Sequence, residues 1–119
     1  MSTEVLEKEN VIKTINPATG KEIKSYTFMT DEEASNSIKK CHEAFTRWKL
    51  IPPNERAKVI KGIGESLTKH KDELVNLMTQ EMGKLLKQGE QEVDLCAGIC
   101  QYYAKVGPGE LKDEERTLP

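Results

Sequence analysis

At Thr30 the apolar pattern of this 119-residue chain changes period, and it stays helical for nearly everything that follows. Thr30-Asp31-Glu32-Glu33 has the form of a capping box: the threonine hydroxyl can accept from the Glu33 amide, and the Glu33 carboxylate can reach back to the Thr30 amide. The acidic residues also suit the positive end of a helix dipole. Beyond them Ala34, Ile38, Cys41, Phe45 and Trp48 recur at alternating steps of four and three, which is one face of a helix over about 31–48. Pro52-Pro53 ends it. A second helix over about 53–69 opens on a proline, tolerated in a first turn, and carries Ala57, Ile60, Ile63 and Leu67. Gly62 and Gly64 inside it each cost about 1 kcal/mol relative to alanine. A third, about 71–82, takes Leu74, Leu77, Met78 and Met82, and Gly83 stops it. A fourth, about 86–106, takes Val93, Cys96, Ala97, Cys100, Tyr103 and Ala104, with Gly107-Pro108-Gly109 as its end. This periodicity predicts that Ile38, Phe45, Trp48, Ile60, Ile63, Leu67, Leu74, Leu77, Met78, Val93 and Cys100 are the most buried positions.

Upstream of Thr30 the pattern is that of strands. Val11 to Ile15 is rich in β-branched residues, Asn16-Pro17-Ala18-Thr19-Gly20 reads as a turn, and Lys21 to Phe28 resumes with Ile23, Tyr26, Thr27 and Phe28. The pair predicts a hairpin over 11–28. Residues 1–10 read as a loose polar arm, and Glu110 to Pro119 as a polar tail. The fold class is therefore mostly α with a short amino-terminal β-hairpin. No repeat of fixed period and no low-complexity segment is visible.

Charge excludes several function classes. Eighteen basic and twenty acidic residues are interspersed and leave a net charge of -2. There is no basic stripe for nucleic acid and no polybasic cluster for a membrane surface. Aromatic residues are 5% of the chain, too few for a base-stacking platform. No apolar run reaches the length of a membrane span, and residues 1–10 do not form a secretory signal. Three cysteines, an odd number, argue against a disulfide framework and for a reducing cytoplasm.

Each candidate for chemistry has a plainer explanation. Cys96 and Cys100 share a helix face, but a metal site needs further ligands, and His42 and His70 are isolated. The three cysteines fall on apolar stripes, as small core residues do, and none sits at a helix amino terminus that would activate a thiolate. Gly62-Ile63-Gly64 does not follow a strand and has Leu67 where a dinucleotide loop wants a third glycine. Glu32, Glu33, Glu90 and Glu92 lie near helix starts, and Asp113-Glu114-Glu115 is a solvated charge run. The residues thus give no catalytic, cofactor-binding or metal site.

Several pieces nonetheless resemble one family, in order and at plausible spacing. Ile15-Asn16-Pro17-Ala18-Thr19-Gly20-Lys21-Glu22 is similar to the hairpin that opens many aldehyde dehydrogenases. Ala44-Phe45 with Trp48, Glu55-Arg56 with Ile60 and Leu67, Glu81-Met82-Gly83-Lys84, and Glu92-Val93 followed by Tyr102-Tyr103-Ala104 continue the likeness over about residues 11–115. Within that superfamily the Glu81 to Lys84 step and the Cys96 to Ala104 helix look most like the succinate-semialdehyde dehydrogenase group. Two departures stand out: Leu85 where many members have proline, and Gly89 near where many have alanine.

The resemblance implies the amino-terminal part of the family's α/β fold, from its cofactor-binding domain. It also implies oxidation of an aldehyde to the acid through a cysteine thiohemiacetal, with hydride passing to NAD or NADP. The family's nucleophile, general base and cofactor motifs lie downstream, so none is carried onto a residue here, and the isolated chain is expected to bind no cofactor and to be inactive. Leu95 matches a position lining the family's substrate tunnel. The implied partners are the rest of the dehydrogenase chain, further copies in a homo-oligomer, and a small aldehyde. The alternative is a free-standing helical module that binds a partner protein.

Overall fold

The computed structural model describes residues 10–118. The loose arm expected over residues 1–10 lies mostly outside the described residues. Asn10 itself belongs to the hairpin, because its carbonyl accepts from the Phe28 amide at 2.9 Å.

Strands β1 (Val11–Ile15) and β2 (Glu22–Thr27) pair antiparallel, from Val11 opposite Thr27 to Ile15 opposite Glu22, with a register shift between Thr14 and Ile15. Asn16 organises the turn. Its side-chain Oδ1 accepts from the Ala18 amide at 2.9 Å and its carbonyl from the Gly20 amide at 2.8 Å, an Asx turn that leaves Gly20 at φ 69°. Four helices follow: α1 (Asp31–Trp48), α2 (Pro53–Lys69), α3 (Lys71–Met82) and α4 (Leu86–Glu110). The capping box that starts α1 is formed on both sides. The Glu33 amide donates to Thr30 Oγ1 at 3.1 Å, and the Thr30 amide donates to Glu33 Oε2 at 2.8 Å. Gly83 ends α3 at φ 69°, a left-handed conformation that L side chains rarely adopt.

α4 differs from expectation at its end. It runs through Gly107-Pro108-Gly109 to Glu110, and the Leu111 amide donates back to the Gly107 carbonyl at 3.2 Å. Pro108 sacrifices one backbone donor, and this last turn shares the lining of a cavity of about 130 Å³ with Pro53, Arg56 and Ala57 of α2.

The core sits where α4 meets α2 and α3. Val75, Val93 and Ala97 are its buried hydrophobic side chains, with Gly64 and Gly89 buried beside them. Glycine is what allows the helices to approach this closely. A Cβ on Gly64 would lie 2.9 Å from Cys100 Cβ and 3.1 Å from the Ala97 carbonyl oxygen, and one on Gly89 would lie 3.1 Å from a Val75 methyl.

The expected core is therefore largely corrected. Of the predicted positions only Val93 is buried. Ile60, Leu67, Leu74, Met78 and Cys100 are half-buried, while Ile63 and Leu77 are exposed. The whole stripe of α1 is open, with Ile38 71% and Phe45 54% exposed and Trp48 at 37%. Periodicity correctly marks these side chains as one face, but burial requires a neighbour, and α1 has none among the described residues that packs along it.

Candidate functional site

Helices α2, α3 and α4 surround an apolar hollow of about 220 Å³, lined by Leu67, Leu74, Leu77, Met78, Val93 and Cys96, with Glu81, Met82 and Glu92 on its wall. One ion pair ties α3 to α4, and a second ties the turn after α3 to α4. Lys71 Nζ donates to Asp94 Oδ2 at 2.7 Å, and Lys84 Nζ donates to Glu92 Oε2. The hydrogen bond to Asp94 holds the Lys71 ammonium above its ordinary pKa, reinforced by the fields of Asp94, Glu90 and Asp72 and opposed by partial burial. The Lys84 carbonyl also accepts from Thr79 Oγ1 at 2.8 Å, which ties the turn after α3 to the helix it leaves. Pro17 of the hairpin turn comes within 3.4 Å of where a Cβ on Gly83 would be. The Asn16–Gly20 turn and the Glu81–Lys84 step, far apart in sequence, thus touch.

The most informative surface is on α4. One face, through Gly89, Val93, Ala97 and Cys100, is spent on α2 and α3. The opposite face carries Leu95, Ile99 and Tyr102 at steps of four and three, and all three are exposed, Leu95 to 64%. A helix apolar on both sides belongs in the interior of a larger body. α1 presents a similar open surface, a groove of about 450 Å³ lined by Cys41, Ala44, Phe45, Arg47, Trp48 and Ile51.

The other candidates are not brought together. Cys41 and Cys96 are exposed and Cys100 is half-buried, so the reading of all three as core residues holds in part for Cys100 alone. Among the described residues no thiol hydrogen-bonds to a base, and no group of three or more His, Cys, Asp or Glu is placed to hold a metal ion. His70 lies between α2 and α3 with its Nδ1 2.9 Å from the Ser66 carbonyl. Gly62-Ile63-Gly64 lies within α2, with Gly64 pressed on α4 and far from any strand-to-helix turn. Sequence reasoning missed the two lysine clasps, because Lys71 and Asp94 are 23 residues apart and no periodic pattern links them. It also missed Arg56, whose Nε is buried with no hydrogen-bond partner.

The model of the aldehyde dehydrogenase family matches residues 5–118. The chain belongs to the aldehyde dehydrogenase family. It is 37% identical over 111 residues to the succinate-semialdehyde dehydrogenase [NADP(+)] of Deinococcus radiodurans, covering 93% of this chain and 23% of that protein. It is 40% identical over 94 residues to the mitochondrial succinate-semialdehyde dehydrogenase of Arabidopsis thaliana, covering 79% of this chain and 18% of that one. Its fold superposes on succinic semialdehyde dehydrogenase from Streptococcus pyogenes, solved with NADP+, with a TM-score of 0.79 and 30% identity over 84% of this chain and 22% of that one. The chain thus spans less than a quarter of the length of each of these dehydrogenases. Among the described residues no helix is long and apolar enough to cross a membrane.

Proposed function

We propose that this chain is the amino-terminal scaffold of an NAD(P)-dependent aldehyde dehydrogenase that oxidises succinate semialdehyde to the acid. In this reading it is a partial cofactor-binding domain that supplies an outer layer of the enzyme and one wall of its substrate passage. The observation that carries the scaffold role is the second apolar face of α4: Leu95, Ile99 and Tyr102 are arranged as a helix arranges side chains toward a neighbour, and among the described residues all three are left exposed. Leu95 on that face is the residue we assign to the tunnel wall. The choice of substrate rests on the succinate-semialdehyde dehydrogenases of Deinococcus and Arabidopsis, and that of NAD(P) on the NADP named for the Deinococcus protein and bound in the Streptococcus structure. The partners are then the remainder of the dehydrogenase polypeptide and further copies of it, in the reducing cytoplasm that three unpaired thiols suit.

Hydride transfer needs a nicotinamide held against a thiohemiacetal, hence both a cofactor cradle and an activated thiolate. In this reading both belong to the remainder of the dehydrogenase polypeptide. The purified 119-residue chain, given succinate semialdehyde with NAD or NADP, is expected to produce no absorbance at the reduced-nicotinamide band. Aldehyde-dependent turnover in a preparation freed of the host's own dehydrogenases would overturn the scaffold reading.

A further inference from the structure

Three ion pairs of the described chain are local and open. Lys58–Glu55 and Lys61–Glu65 lie within α2 and Arg116–Glu114 within the tail, and each of these side chains is mostly exposed. Lys71–Asp94 and Lys84–Glu92 are of another kind. They reach across to α4 from α3 and from the turn after it, and their lysine side chains are mostly covered, 27% and 23% exposed. Lys71 opens α3 and Lys84 follows its end, where the Lys84 carbonyl accepts from Thr79 Oγ1 at 2.8 Å, so the two ties start from opposite ends of that helix. They meet α4 on either side of Val93, which is buried. Successive residues of an α-helix are about 100° apart, so Glu92 and Asp94 sit on opposite flanks of the buried face. The seam itself is built largely of small residues: Gly64 lies against Ala97 and Cys100, and Gly89 against Val75. Such a seam brings helices close, but it offers few large side chains to interlock against rotation of one helix about its own axis.

We propose that Lys71 and Lys84 are positioning residues, which through Asp94 and Glu92 fix the rotation of α4 about its axis and thereby the place of Leu95 in the substrate passage. The proposal rests on the assignment of Leu95 to the tunnel wall. Leu95 follows Val93 by two residues, about 200° around the helix, so it stands on the side away from the anchored face, and it is 64% exposed. With its side chains a helix is about 10–12 Å across, so a rotation of about 10° carries a side chain at its surface sideways by about 1 Å. A misplacement of that size is enough to spoil the geometry of a binding or reacting site. Ion pairs with exposed carboxylates contribute little to stability, so their loss is expected to change where Leu95 stands more than whether the helices fold.

The test is a double-mutant cycle in a protein that joins this chain, after Pro119, to the remainder of the Deinococcus relative. Lys71→Met with Lys84→Met keeps the stems and removes both ties; Lys71→Arg with Lys84→Arg keeps the charges; Leu95→Ala removes the side chain through which the ties are proposed to act. The paired methionine variant is expected to raise KM for succinate semialdehyde several-fold with kcat little changed, as a loss of binding does. The paired arginine variant is expected to recover most of that loss. In the Leu95→Ala background the methionine pair is expected to add nothing further, because its effect passes through Leu95. If the methionine pair does not fold, Asp94→Asn, which keeps the shape and removes the charge, is judged by the same outcomes. An unchanged KM overturns the proposal, as does a fall in kcat at unchanged KM, which reports fewer folded molecules. A rise in KM of full size in the Leu95→Ala background overturns it too, because the ties then act elsewhere. An unsubstituted joined protein that does not oxidise succinate semialdehyde contradicts the segment reading, and a Leu95→Ala variant with unchanged KM contradicts the tunnel assignment; the proposal falls with either. An active joined protein in which Leu95→Ala raises KM and the methionine pair does not removes the proposal alone.

Discussion

Two glycines two residues apart show how much a single position can mean. Gly62 and Gly64 look alike in the sequence, two helix-weakening residues in α2. In the fold a Cβ at Gly62 meets nothing within 4 Å, whereas one at Gly64 lies 2.9 Å from Cys100 Cβ and 3.1 Å from the Ala97 carbonyl oxygen. Gly62→Ala should stabilise α2 by up to about 1 kcal/mol through helix propensity. Gly64→Ala gains the same propensity but must spread two helices. Overpacking costs about 1–3 kcal/mol, so the net is a loss of up to about 2 kcal/mol. Urea unfolding followed by helical circular dichroism checks both, and equal shifts in the two variants would show that the α2–α4 crossing is not tight at Gly64. That contact was illegible in the sequence because it depends on a partner more than thirty residues away. The capping box at Thr30, the Asn16 turn and the Gly83 stop were legible because each is decided by residues within one turn of chain.

At the scale of elements, helix positions followed from periodicity and punctuation, and burial did not. α1 illustrates the difference. Its start, its stripe and its Pro52-Pro53 end are local facts, but which of its side chains are covered depends on what lies against it. α4 illustrates the converse: its final turn runs on through a proline that local sequence reads as a stop. With no tertiary cover, α1 depends on its own caps more than α2 or α4 does. Thr30→Ala removes the hydroxyl that accepts from Glu33 and should cost α1 about 1 kcal/mol. Native-state hydrogen exchange is expected to show amides of α1 exchanging faster in the variant, with those of α2 and α4 unchanged. A slowdown or a change spread over all helices would mean that α1 is packed after all.

The whole molecule is extended rather than compact. Its radius of gyration is 21.6 Å and its extents are 82 × 40 × 29 Å, against about 13–14 Å for the radius of gyration of a compact domain of this length. Val75, Val93 and Ala97 are its buried hydrophobic side chains, while Ile38, Phe45, Leu50, Leu95, Ile99 and Tyr102 are open to solvent. Family membership was legible because motifs such as Asn16–Gly20 and Glu81–Lys84 survive as local sequence. Of the candidate site only the place of Leu95 on a helix was legible, because which neighbours cover a helix face is not decided by local pattern. A free-standing module would close its apolar faces on themselves, and among the described residues those of α1 and the second face of α4 stay open. Sedimentation velocity of the purified 119-residue chain over a range of concentrations tests this most directly. The account predicts self-association that grows with concentration, driven by the open faces of α1 and α4; a monodisperse monomer at every concentration, with a cooperative melt, would contradict it.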